Sequence, residues 1–160
     1  SDSLSVRGIG KDETRAVFVR THDHASSQVV RFTRADAKQK QTLTLQRSGS
    51  ILGRITDESG NPLQEYGVAV ASRGLLATIT DNGKMPDTSL FRFGEARTDA
   101  DGFFFLKGIP ANEAFEVVAL KTSAGRMPLI ARVHEGVLRE GQRMDLEAVK
   151  VSFPNSELKD

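Results

Sequence analysis

Three histidines and a small acidic loop carry the residue types in this chain that could do chemistry. His22 and His24 flank Asp23, so in an extended segment both imidazoles share one side and Asp23 takes the other. That is a half-set of zinc ligands, because a catalytic zinc needs a third protein ligand. His134 is distant in sequence, and surface or loop positions are the expectation for all three. Asp99 and Asp101 in "TDADG", with Asp57 in "TDESG", offer hard oxygen ligands of the kind calcium takes. Calcium needs about six to eight oxygens. After Asp101 the loop runs straight into Phe103-Phe104-Phe105, and no late acid closes it. Asp57, Asp99 and Asp101 are therefore weak metal candidates. The expected role of Asp99 is to accept backbone N–H groups inside its own turn.

Nucleophilic chemistry has less to work with. Cysteine is absent, which removes thiolate nucleophiles, disulfides and cysteine zinc sites together. Serine, histidine and aspartate occur, but no Gly-x-Ser-x-Gly elbow presents a serine. Paired carboxylates lie only in loops, without an apolar pocket to split their pKa values. The expectation is no enzyme and no cofactor.

Bulk properties restrict the partners. Across 160 residues, 38% are hydrophobic and 27% charged, the balance of a globular chain. The formal net charge of +1 and the scattered basic residues give no field for nucleic acid or anionic lipid. No run of about 18 apolar residues occurs, so no membrane insertion is expected. No signal peptide is visible, and a chain beginning at Ser1 is expected to be a mature form or an excised piece. A solvated connector is expected over 34–40.

The elements that would hold these residues read as strands. Short period-two runs recur at 16–19, 29–32, 43–45, 51–55, 68–70, 76–80, 90–93, 103–106, 115–120, 129–133 and 144–149. Between them lie Ser59-Gly60-Asn61-Pro62, Asp81-Asn82-Gly83, Asp101-Gly102 and Ser123-Ala124-Gly125, which supply turn chemistry. Only 137–146 could hold a helical turn, and Gly141 opposes it. Many short strands with regular turns indicate a β-sandwich or barrel. Eight of the nine phenylalanines fall in these runs, and all nine are expected in the core. Phe103 and Phe105 should face one side of their strand and Phe104 the other, which suits a strand covered on both sides or one edge of a module contact.

An internal echo joins the two ends. At an offset of 100 positions Gly8, Ile9, Glu13 and Val17 match Gly108, Ile109, Glu113 and Val117. Arg7 faces Lys107, Val29-Val30 face Leu129-Ile130, and Leu43-x-Leu45 answers Met144-x-Leu146 after a one-residue slip. A repeat of sandwich modules would leave this pattern. Residues 1–47 are then the C-terminal part of a preceding β module, or accessory strands. Residues 48–150 form the main unit and 151–160 a tail.

The main unit contains "GRITDESGNPLQEYGVAVAS" and then "ARTDADGFFFLKGIPANEAFEVVAL". These two motifs at this spacing resemble the carboxypeptidase regulatory-like domain over about 48–150. The resemblance implies an all-β, transthyretin-like Greek-key sandwich. It also implies a non-catalytic structural or protein-interaction module of a larger bacterial envelope or secreted protein, and hence an extracytoplasmic site. Partners would be other domains of the parent chain or another protein, with a homodimer through open N-terminal strands as a further expectation. The stretch 73–95 is longer than the family's usual connection. Lys84, Met85 and Asp87 would stand at its tip as weak binding candidates. Related sandwich enzymes fit the residues poorly: the hydroxyisourate hydrolase tail Tyr-Arg-Gly-Ser is replaced by "NSELKD", and intradiol dioxygenases need two tyrosines where Tyr66 stands alone. CNA-type adhesin modules need a lysine in the first strand, where Arg54 occurs. A carbohydrate-binding module using Tyr66 and a Ca²⁺-stabilised adhesin module remain the alternative readings.

Overall fold

The structure, a computed structural model, describes residues 9–21, 25–36, 40, 42–74, 92–122 and 129–153. Its elements are β1 (Arg15–Val17), β2 (Ala25–Ser27), β3 (Val30–Phe32), β4 (Leu45–Arg47), β5 (Gly49–Thr56), β6 (Gly67–Ser72), β7 (Arg92–Arg97), β8 (Phe103–Ile109), β9 (Ala114–Lys121), β10 (Leu129–Val137) and β11 (Arg143–Lys150). One 3-10 turn, Arg34–Asp36, interrupts the strands. The all-β sandwich expected from period-two patterning is the observed architecture.

Two sheets face each other. One has the order β10-β9-β6-β7 and the other β11-β5-β8. The chain crosses between the sheets after β5, β7, β8 and β10, so β9 returns beside β6, and β8 beside β5, in the Greek-key manner. The core forms where alternating side chains of both sheets point inward. Ile51 and Ile55 of β5, Phe104 and Leu106 of β8, Val68 and Val70 of β6, and Phe115, Val117 and Ala119 of β9 meet there, with Phe93 and Leu138. Strand β5 shows why: its residues alternate between buried and half-buried along most of its length. Gly53 on its inner side lets Phe104 and Leu146 close over the backbone. In β6 and β9 the residues of both faces are buried, including Ala69, Ala71, Glu116 and Val118. The buried Glu116 carboxylate has the Arg132 guanidinium at 3.8 Å.

Strand β11 runs parallel to β5, with a register shift between Asp145 and Ala148. Glu147 there adopts φ 53°, and its N–H donates to Asp145 Oδ1 at 2.8 Å. A bulge of this kind twists a sheet margin and discourages pairing with a further strand. The segment between β10 and β11 is a tight turn through Glu140 and Gly141, not the helical turn considered for 137–146.

The N-terminal strands form two small ribbons, β1 with β3 and β2 with β4, outside both main sheets. Phe18 packs edge-to-face on Phe93 with centroids 5.7 Å apart. Arg20 donates to the Phe93 carbonyl, and Arg31 pairs with Glu113. β1 and β3 are antiparallel, as β9 and β10 are, but Val17 lies opposite Val30 whereas Val117 lies opposite His134. Gly8 of the echo lies outside the described residues.

Candidate interaction face

The acidic loop is a turn with both strands of its wall in place. Asp99 Oδ1 accepts the N–H groups of Asp101 at 3.0 Å and Phe103 at 2.9 Å, and the Gly102 N–H reaches the Asp99 carbonyl at 3.0 Å. Thr98 beside it is buried; its hydroxyl donates to the Leu63 carbonyl and accepts the Tyr66 N–H. That hydroxyl ties the acidic turn to the Pro62 turn, where a Cβ on Gly102 would meet Pro62 and Leu63. Asp57 closes the neighbouring turn: Asn61 donates its N–H to Oδ1 at 2.8 Å and its Nδ2 to Oδ2 at 3.0 Å. Asp101 is exposed. Among the described residues no group of three His, Asp or Glu side chains is placed to hold a metal ion.

Those bonds make Asp57 titrate low. The Asn61 side chain, then the Asn61 N–H, hold its carboxyl below the usual carboxylate range. A depressed folded-state pKa stabilises the fold above the unfolded value of about 3.9. That contribution is lost as pH falls through the lower folded value. We expect the melting temperature to drop on acidification below about pH 4, and Asp57→Asn to drop less over the same window. Parallel melts in matched buffers check it.

The other candidates fall apart in space. Tyr66 is half-buried, its ring tilted against Phe153 with centroids 5.5 Å apart. His134 sits on β10 beside the Phe115 ring, at 6.2 Å. His22, His24, Lys84, Met85 and Asp87 lie outside the described residues.

Phe103 and Phe105 share one side of β8 and Phe104 takes the other, as its alternation implies, and the side of the pair is open. Phe104 is 4% exposed, but Phe103 is 49% and Phe105 44% exposed. The expectation that all the phenylalanines pack in the core is therefore wrong for these two. Strand alternation forces this result: once Phe104 and Leu106 point inward, Phe103, Phe105 and Lys107 must point outward. The signal was present in Lys107, a charged residue two positions beyond Phe105 on the same face.

Register builds the rest of the face. Lys107 lies opposite Ser50, which lies beside Arg143. Phe105 lies opposite Leu52, beside Asp145, and Phe103 lies opposite Arg54. The Lys107 ammonium stands 5.1 Å and the Arg143 guanidinium 5.7 Å from the Phe105 ring centre, so two cations hold one aromatic ring. An open groove of about 470 Å³ runs along this face, lined by Leu52, Phe103, Phe105, Arg97 and Arg143 among others. Arg54 Nε is shielded from solvent without a hydrogen-bond partner. Among the described residues, Lys107, Arg143 and Arg54 have no carboxylate within 4.0 Å, whereas Arg97 reaches Glu65 at 3.6 Å.

No family model matches the chain, and no curated protein is detectably similar to it in sequence. Several solved structures match it at low identity. A streptococcal ancillary pilin matches at 15% identity and TM-score 0.40, covering 85% of this chain and 43% of the pilin. The shaft pilin SpaA from Lactobacillus rhamnosus GG matches at 11% and 0.39, covering 86% of this chain and 61% of the pilin. The dioxygenase domain of a dioxygenase carbohydrate-binding protein fusion from Streptomyces sp. SirexAA-E matches at 18% and 0.37, covering 66% and 80%. The chain thus spans less than two thirds of either pilin. The expectation of no enzyme is corrected by the last match, since a lipoxygenase and an allantoin synthase also appear among the structures matched. Likeness at this level does not separate a binding module from an enzyme.

Proposed function

We propose that this chain is a β-sandwich module that works by contact, with the outer face of β11-β5-β8 as its docking surface for a segment of another protein. The observation that carries this reading is the pair Phe103 and Phe105. Each leaves almost half its surface to solvent on a regular strand whose inner face is fully packed. Exposed aromatic rings beside cations are what protein-binding centres are built from. The sandwich beneath supplies rigidity, since β5 and β8 anchor their inner side chains in the core. Residues 1–47 are accessory strands of the same body in this reading, held by Phe18, Arg20 and Arg31. The family resemblance adds that such a module belongs to a larger bacterial envelope or secreted protein.

A photo-reactive phenylalanine analogue placed at Phe105, in the cells that make this chain, tests the proposal. A discrete protein adduct is expected there and not at Glu140, an exposed position on the β10–β11 turn. The same faint ladder of products at both positions would overturn it.

A further inference from the structure

The charges around Phe105 say what kind of segment the face would take. Seven arginines of the described residues, including Arg31, Arg92 and Arg132, have a carboxylate partner within the chain. Lys107, Arg143 and Arg54 do not, and they converge on the only two phenylalanines exposed among the described residues. Asp145 is the acid in the central row of that face, and its Oδ1 already accepts the Glu147 N–H. A cation held over a ring spends one side of its charge on the π face and keeps its remaining donors for an acceptor. A neutral apolar partner would bury those donors unpaired, which is costly. A basic partner would add repulsion.

Resting on the docking reading above, we infer that the occupant is an extended acidic segment of another protein, with apolar side chains alternating with carboxylates. The apolar side chains lie against Phe103, Phe105 and Leu52, and the carboxylates accept from Lys107 and Arg143. The two-residue spacing of Phe103, Phe105 and Lys107 sets the period, because an extended ligand repeats every two residues, about 6.5–7 Å. Single-stranded nucleic acid is the competing class, since exposed rings with cations can stack bases. A phosphate backbone would want an extended basic stripe, which two cations around one ring and a net charge of +1 do not supply.

Fluorescence anisotropy with three labelled probes decides it: an alternating Glu-Leu peptide, an alternating Lys-Leu peptide and an oligouridylate. The Glu-Leu peptide should bind, several-fold more weakly as salt rises from about 50 to 300 mM. Lys107→Gln/Arg143→Gln should weaken it at least about tenfold, with Lys121→Gln on the other sheet unchanged. Absence of Glu-Leu binding, equal binding of Lys-Leu, or binding of oligouridylate in its place overturns the inference. A discrete adduct at Phe105 combined with no Glu-Leu binding would overturn this inference alone and leave the docking reading standing.

Discussion

Gly102→Ala should cost the protein most of its stability, and Gly60→Ala should cost little. Both glycines have positive φ, 77° at Gly102 and 90° at Gly60, so both substitutions carry the left-handed backbone penalty of about 1–2 kcal/mol. Only Gly102 adds a collision. A Cβ there would lie 2.5 Å from the Ile55 carbonyl oxygen and 3.3 Å from the Leu63 nitrogen and Pro62 Cβ. Those neighbours are backbone and a ring, so no rotamer change relieves them. The Ile55 N–H also donates to the Gly102 carbonyl at 2.9 Å, so pushing the turn away breaks the first rung between the acidic turn and β5. Nothing lies within 4 Å of a Cβ at Gly60. We expect Gly102→Ala to lose more than about 4 kcal/mol, the range reserved for a few severe mechanisms, against a total of about 5–15 kcal/mol. Gly60→Ala should stay near about 1 kcal/mol. Chemical denaturation of the two variants beside the parent reads the contrast directly.

The second large effect lies at the centre of the sandwich. Phe115 is fully buried on β9, between the two sheets, with the His134 ring beside it. Gly136 opposite it has no side chain, and a Cβ there would come within 3.3 Å of the Phe115 ring. The ring thus fills a space the facing strand leaves open. Phe115→Ala removes that ring from a site walled by strands on both sides, where collapse is limited. The expected loss is about 3–5 kcal/mol. A variant that melts within a degree or two of the parent would mean the sheets close over the gap.

Much of this was legible because strands repeat every two residues. The Asp99 turn, the Pro62 turn and the strands over 51–55, 68–70, 103–106 and 115–120 follow from local patterns and turn residues alone. Asp99 as a turn builder was readable because its acceptors serve amides two and four residues away. The alternation of Phe103 and Phe105 against Phe104 was local information too; what the apolar run obscured was that the side of the pair is open to solvent. Lys107 on the same face as Phe103 and Phe105 should have decided it. Arg143 could not be found this way. It reaches Phe105 only because β11 runs parallel to β5, a pairing across about ninety residues that no local pattern encodes. The buried Glu116 was hidden for a different reason: both faces of β9 are covered, and its guanidinium partner Arg132 stands across the hairpin on β10.

Strand β8 divides its work, with Phe104 and Leu106 holding the fold and Phe103 and Phe105 left for a partner. Thermal melting of Phe103→Ser/Phe105→Ser beside Phe115→Ala tests this most directly. The double surface variant should change stability by no more than about 1 kcal/mol while Phe115→Ala melts far earlier. A loss in the double variant as large as that of Phe115→Ala would contradict it, because the two rings would then belong to the fold.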